Sequence, residues 1–143
     1  MQDEYHLDRF LLAQAPVYDD VVEELRQGRK RSHWMWFVFP QITGLGRSAM
    51  ANHYAIASLD EARAYLAHPV LGARLRECAT LALNSPQPSA LALFGPPDDM
   101  KFRSCMTLFA EAAPQELVFA ACLRKFFDGR PDAATLEALR AQQ

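Results

Sequence analysis

The run Arg29-Lys30-Arg31-Ser32-His33-Trp34-Met35-Trp36-Phe37-Val38-Phe39-Pro40-Gln41 decides how this chain is read. Three cations lead, through Ser32 and His33, into an unbroken apolar stretch from Trp34 to Phe39. That stretch is too short for periodicity to separate a helix from a buried strand. The surrounding sequence separates them: no other segment alternates at strand spacing, so a strand here would have no partner. The block is therefore predicted to form a short helix, with Ser32 as its cap.

Upstream, Leu7, Phe10 and Leu11 fall at helical spacing before Pro16 stops the pattern, and Val21, Val22 and Leu25 mark a second helix that Gly28 closes. Downstream, Gly44-Leu45-Gly46 is a loop, and Ser48 caps a short helix through Met50 to Tyr54. Ser58-Leu59-Asp60-Glu61 matches a capping box, predicting a helix over Leu59 to Ala67. Pro69 opens the next, to about Asn84, with Val70, Leu71, Leu75, Cys78, Leu81 and Ala82 on its inner face. Further helices are expected over Ser89 to Phe94, from Asp98 or Asp99 to about Ala113, over Glu116 to Phe127, and after Asp132 with Leu136 and Leu139 inward. The predicted fold class is all-α: one compact multihelical domain over residues 1–143, with seven to nine helices.

Composition agrees. Half of the residues are hydrophobic and 22% are charged, which suits a globular core and argues against disorder. A net charge of −2 argues against wrapping a polyanion with the whole surface, so nucleic acid is an unfavoured partner, though a local basic run can still grip one phosphate. Cys78, Cys105 and Cys122 are widely spaced in apolar helical stretches, as buried free thiols of a reducing compartment would be. An acidic start without an apolar signal core, and the lack of any membrane-length apolar run, predict a cytoplasmic protein with no membrane contact.

Candidate chemistry gathers on the same block. Arg31 and Arg47 offer phosphate contacts, His33 a titratable donor and candidate catalyst, Trp34 and Trp36 stacking surfaces, and Gln41 an amide beside the glycine turn. A helix opening at Ser48 would direct its positive end at an anion. Lys101 and Arg103 stand among apolar residues of a later helix, and Lys101 shares a face with Ser104. Two readings of the block stand side by side. In one it is the centre of a helical core preceded by solvated cations. In the other it is a basic-aromatic pocket for a small anionic, phosphorylated, nucleotide-like ligand, an ADP-ribose-like one included. No nucleotide-binding glycine motif, nucleophile elbow or zinc motif is present, and His6, His53 and His68 are scattered, so no metal or cofactor is expected. Among the thiols only Cys105, beside Arg103 and Ser104, has neighbours that could activate it.

The block from Lys30 to Gln41, followed by Gly44-Leu45-Gly46-Arg47-Ser48, resembles the signature of the domain-of-unknown-function family numbered 1810. The likeness continues in Glu61 to Gly72 and in Asp98 to Phe109. It implies a small multihelical bacterial domain and no settled activity, and it marks Arg31, His33, Trp34, Gln41, Arg47 and Lys101 without giving them roles. Some members carry the label "calpastatin". A calpain inhibitor of that kind is long, disordered and repetitive, whereas this chain is short, half apolar and free of repeats. The functional expectation is thus binding or processing of a phosphorylated small molecule. The alternative is a non-catalytic protein-interaction module that uses the Trp/Phe-rich block.

Overall fold

The computed structural model describes residues 3–142. Ten helices follow one another among them: α1 (Asp8–Gln14), α2 (Tyr18–Arg26), α3 (Met35–Val38), α4 (Ala49–His53), α5 (Leu59–Ala67), α6 (Leu71–Leu83), α7 (Ala90–Phe94), α8 (Asp98–Ala112), α9 (Leu117–Phe127) and α10 (Ala133–Ala141). The architecture is all-helical, as expected; the ten helices exceed the predicted total of seven to nine, although each falls on a segment read individually as helical from the sequence. No strand forms among the described residues. The one extended contact is a parallel bridge between Ile42 and Ile56, with Thr43 N–H donating to Ile56 O at 2.8 Å and Ile56 N–H to Gln41 O at 2.8 Å.

Most helix ends follow local chemistry. Ser48, Ser58, Ser89 and Asp132 each accept the backbone N–H three residues on, so α4, α5, α7 and α10 begin where their caps stand. Gly28, at φ +73°, ends α2: its N–H reaches Leu25 O and that of Arg29 reaches Glu24 O, a 6→1 and 5→2 pair that requires a left-handed residue between them. Two expected ends move. Pro69 lies outside α6, and the Nδ1 of His68 accepts from Val70 N and Leu71 N (3.1 and 3.2 Å), so a histidine caps the helix. Val70 is consequently displaced from the inner face and is exposed. Ser32 does not cap α3, because its hydroxyl is drawn to Glu24 instead.

α8 is the axis of the core. It packs against α5, α7, α9 and α10, and its run from Ser104 to Phe109 is buried. Phe102 of α8 meets Phe39 edge-on at 5.0 Å and Phe94 at 4.6 Å. On the opposite flank Phe10 packs edge-on against Tyr65 at 5.1 Å, and Gln14 bonds Phe37 O (2.6 Å) and the Tyr65 hydroxyl (3.0 Å). The aromatic block supplies the middle: Trp34, Met35, Phe37, Val38 and Phe39 are all buried, and only Trp36 is half-exposed. No helix among the described residues is long and apolar enough to cross a membrane.

Candidate functional site

The basic run is organised by a carboxylate. Glu24 stands on the inner face of α2 between Val21 and Leu25, where burial leaves it 7% exposed. An unpaired charge there would be costly, so donors must reach it. Four do: Arg31 N (2.6 Å), Ser32 N (3.0 Å) and Trp34 Nε1 (3.0 Å) on Oε1, and the Ser32 hydroxyl (2.5 Å) on Oε2. Burial alone would raise the Glu24 pKa, but these hydrogen bonds outweigh it and hold the carboxyl below its usual range. Lys30 is likewise engaged: its Nζ meets Asp98 Oδ2 at 2.9 Å and Ser32 O at 2.6 Å, 5.0 Å from the Trp34 ring centre.

Three candidates therefore leave the expected pocket. Trp34 is 1% exposed and has its indole N–H on Glu24, so neither face nor edge is open to a ligand. Arg31 is exposed and its guanidinium bonds Gln27 Oε1, its own backbone being tied to Glu24. His33 is exposed and does not line the cleft that gathers other candidates.

Three of the other four candidates meet. Gln41, Arg47 and Lys101, with Ser48 and Ser104, line one cleft of about 400 Å³ between the Leu45–Ala51 segment, the start of α8 and the start of α10. Gly46 permits this closeness: a Cβ there would lie 2.5 Å from that of Ala51. Lys101 is held between Asp98 Oδ1 at 3.6 Å and the Trp36 ring at 5.0 Å, so Trp36 backs the lysine rather than lining the cleft. Asp98 serves both Lys30 and Lys101, so neither lysine has a carboxylate to itself. Arg47 makes no ion pair among the described residues; only its carbonyl is engaged, by Asn52 at 3.4 Å. Asp132 also lines the cleft, with Oδ2 occupied by Thr135 N (3.0 Å) and the Thr135 hydroxyl (2.6 Å). The expected helix end at Ser48 contributes little. α4 has only five residues, and its Ala51 N–H is already taken by the Ser48 hydroxyl.

Nucleophilic chemistry finds no support in the thiols. Burial pushes Cys105 well above the usual thiol range and Cys78 and Cys122 up to about 12. Arg103 turns away to Arg130 O (3.0 Å) and the Ser104 hydroxyl to Met100 O (3.1 Å), so neither activates Cys105. Among the described residues no His, Cys, Asp and Glu cluster could hold a metal. Glu24 was missed in the sequence, although a carboxylate on the inner stripe of an amphipathic helix signals a buried anion that needs donors.

The sequence family described as "Protein of unknown function (DUF1810)" matches residues 4–139. The chain is also similar to a solved structure, "Crystal structure of the conserved hypothetical protein Rv1873 from Mycobacterium tuberculosis", with 54% identity, 96% of this chain and 99% of that one covered, and a TM-score of 0.95. No curated protein matches. With the match running from the first turn to the last helix, and through both halves of the basic cleft, the chain belongs to the DUF1810 family.

Proposed function

We propose that this protein binds a small phosphorylated, nucleotide-like molecule in the Gln41–Arg47–Lys101 cleft, ADP-ribose-like molecules being within the class. One observation carries the reading: cationic and amide side chains distant in sequence line one concavity, joined by the Ser48 and Ser104 hydroxyls. Arginine and lysine suit phosphate oxygens through charge-assisted hydrogen bonds, and hydroxyls and an amide suit a ribose edge. The cleft's volume lies within the range of small-molecule sites, and Leu45, Pro97 and Met100 add apolar wall. Because Trp34 and His33 are not on the lining, the reading is one of binding through charge and hydroxyls, not of stacking on Trp34 or catalysis by His33.

The test is a thermal-shift titration with inorganic phosphate, AMP and ADP-ribose. A ligand at about 100 times its dissociation constant stabilises the folded chain by roughly 2.7 kcal/mol. Arg47→Ala and Lys101→Ala should each reduce that shift. If none of the three ligands shifts the wild type, or both variants respond as it does, the reading fails. A protein-interaction module would then have to use a surface other than the aromatic block, which lies mostly in the core.

A further inference from the structure

α4 stands between two clefts. Ala51 lines the basic one, while Asn52 and His53 line a second cleft of about 910 Å³, whose opposite wall comes from the start of the chain and α1. The α4 loop is pinned at its base by the Ile42–Ile56 bridge, both side chains being buried, and α4 itself has no buried residue.

The floor of the second cleft is electrically closed. Every N–H of the Arg9 guanidinium has an acceptor: Nε on His53 O (2.9 Å), Nη1 on Tyr5 O (2.6 Å) and His6 O (2.9 Å), Nη2 on Ala55 O (2.9 Å) and Glu61 Oε2 (2.8 Å). Glu61 is 3% exposed, and its second oxygen accepts from Ala57 N at 3.0 Å. The pair therefore cancels its own charge and offers an entering anion no free donor. Asp8, exposed on the rim, further disfavours one.

What remains for a ligand is apolar surface edged by groups that donate and accept, with the Asp8 carboxylate at the rim. Tyr54 lines one side, with its ring supported by Phe10 (5.8 Å) and Phe37 (5.4 Å), and the His53 ring stands edge-on to it at 4.6 Å. Leu12 lines the opposite side, 73% exposed, an apolar side chain left in water by the fold. His6 is carried in at φ +53°, a left-handed conformation uncommon outside glycine. Asp3 holds that turn by accepting Leu7 N (2.7 Å) and Asp8 N (2.9 Å). Imidazole, the Asn52 amide and the Thr43 hydroxyl each supply donors and acceptors without fixed charge.

We infer that this second cleft binds an aromatic or heteroaromatic molecule without negative charge, its ring against Tyr54 and Leu12 and its polar edge on His6, Asn52 and His53. The inference is independent of the anion reading of the first cleft. Two molecules of one shape separate neutral from anionic: benzamide and benzoate, each titrated into the full chain while backbone amide resonances are followed. Benzamide should shift the amides of Leu12, Asn52, His53 and Tyr54, with a dissociation constant on the order of 1 mM for a ligand this small. Benzoate should bind at least about tenfold more weakly. Leu12→Asp, which replaces an exposed side chain, should weaken benzamide about tenfold with the remaining spectrum unchanged. Arg47→Ala should leave benzamide binding as it was, whereas it should impair inorganic phosphate in the first cleft. The inference is overturned if benzamide leaves those amides unmoved, if benzoate binds as tightly, or if Leu12→Asp has no effect.

Discussion

Arg9 and Lys30 have the same charge as Arg47 and Lys101, and the fold treats the two sets differently. Arg9 has every N–H on an acceptor, and the Lys30 side chain is 7% exposed between Asp98 and Ser32 O. Arg47 is exposed with no ion-pair partner among the described residues, and Lys101 meets its carboxylate only at 3.6 Å. A cation whose donors are occupied holds loops together. A cation whose donors are free is available to something else. Trp34 and Trp36 repeat the contrast two residues apart: one indole is bonded to Glu24 in the core, and the other is half-exposed beneath Lys101.

The largest expected effect tests the structural half of that contrast. Trp34→Ala should cost about 3–5 kcal/mol by chemical denaturation, as for a large aromatic removed from a packed core, with the Glu24 bond lost as well. A cost below about 1 kcal/mol would mean the indole is not where the fold puts it.

Glu24→Gln comes next, at about 1–3 kcal/mol, because an amide cannot accept from four donors as the carboxylate does. Its sign with pH is set by the lowered pKa. A carboxyl ionised more easily folded than unfolded stabilises the protein above the unfolded value, and that contribution disappears as pH falls through the folded one. The stability gap between wild type and Glu24→Gln should therefore be full above roughly pH 5 and shrink on acidification. A gap that is constant with pH would mean that these donors do not hold Glu24 as a carboxylate. Trp36→Ala should cost only about 1 kcal/mol, since part of its ring is already in water. Equal losses at Trp34 and Trp36 would erase the contrast.

How far these differences were legible from the sequence follows from their physics. Caps are local, so Ser48, Ser58, Ser89 and Asp132 could be recognised from a few residues each. The all-helical class followed from patterning summed over the chain, and of the two readings of the block the helical core holds for Trp34, Met35, Phe37, Val38 and Phe39. The partners of the cations are not local. Arg9 reaches Ala55 and Glu61, and Lys30 reaches Asp98, across separations that no window spans. Ser32 was misassigned for a different reason: it has the right residue type for a cap, but Glu24, eight residues back on the preceding helix, competes for its hydroxyl. The second cleft gave no sequence signal, because its residues are ordinary singly and acquire a shared surface only when α4 folds opposite α1.

The smallest expected effect on stability carries the most weight for function. Arg47→Ala removes an exposed side chain with no ion-pair partner among the described residues, so folding free energy should change by less than about 0.5 kcal/mol. Lys101→Ala loses a cation over Trp36 and a long contact to Asp98, so a somewhat larger cost, about 0.5–1 kcal/mol, is expected. Ligand response should rank the other way. The free guanidinium can turn two N–H groups on a phosphate without giving up an existing partner, whereas Lys101 must share itself with Asp98. Arg47→Ala should therefore lose more of any phosphate-induced thermal shift than Lys101→Ala while being the more stable apoprotein. Loss of ligand response in proportion to loss of stability would instead make both residues structural, and the distinction between occupied and free cations would lose its functional meaning here.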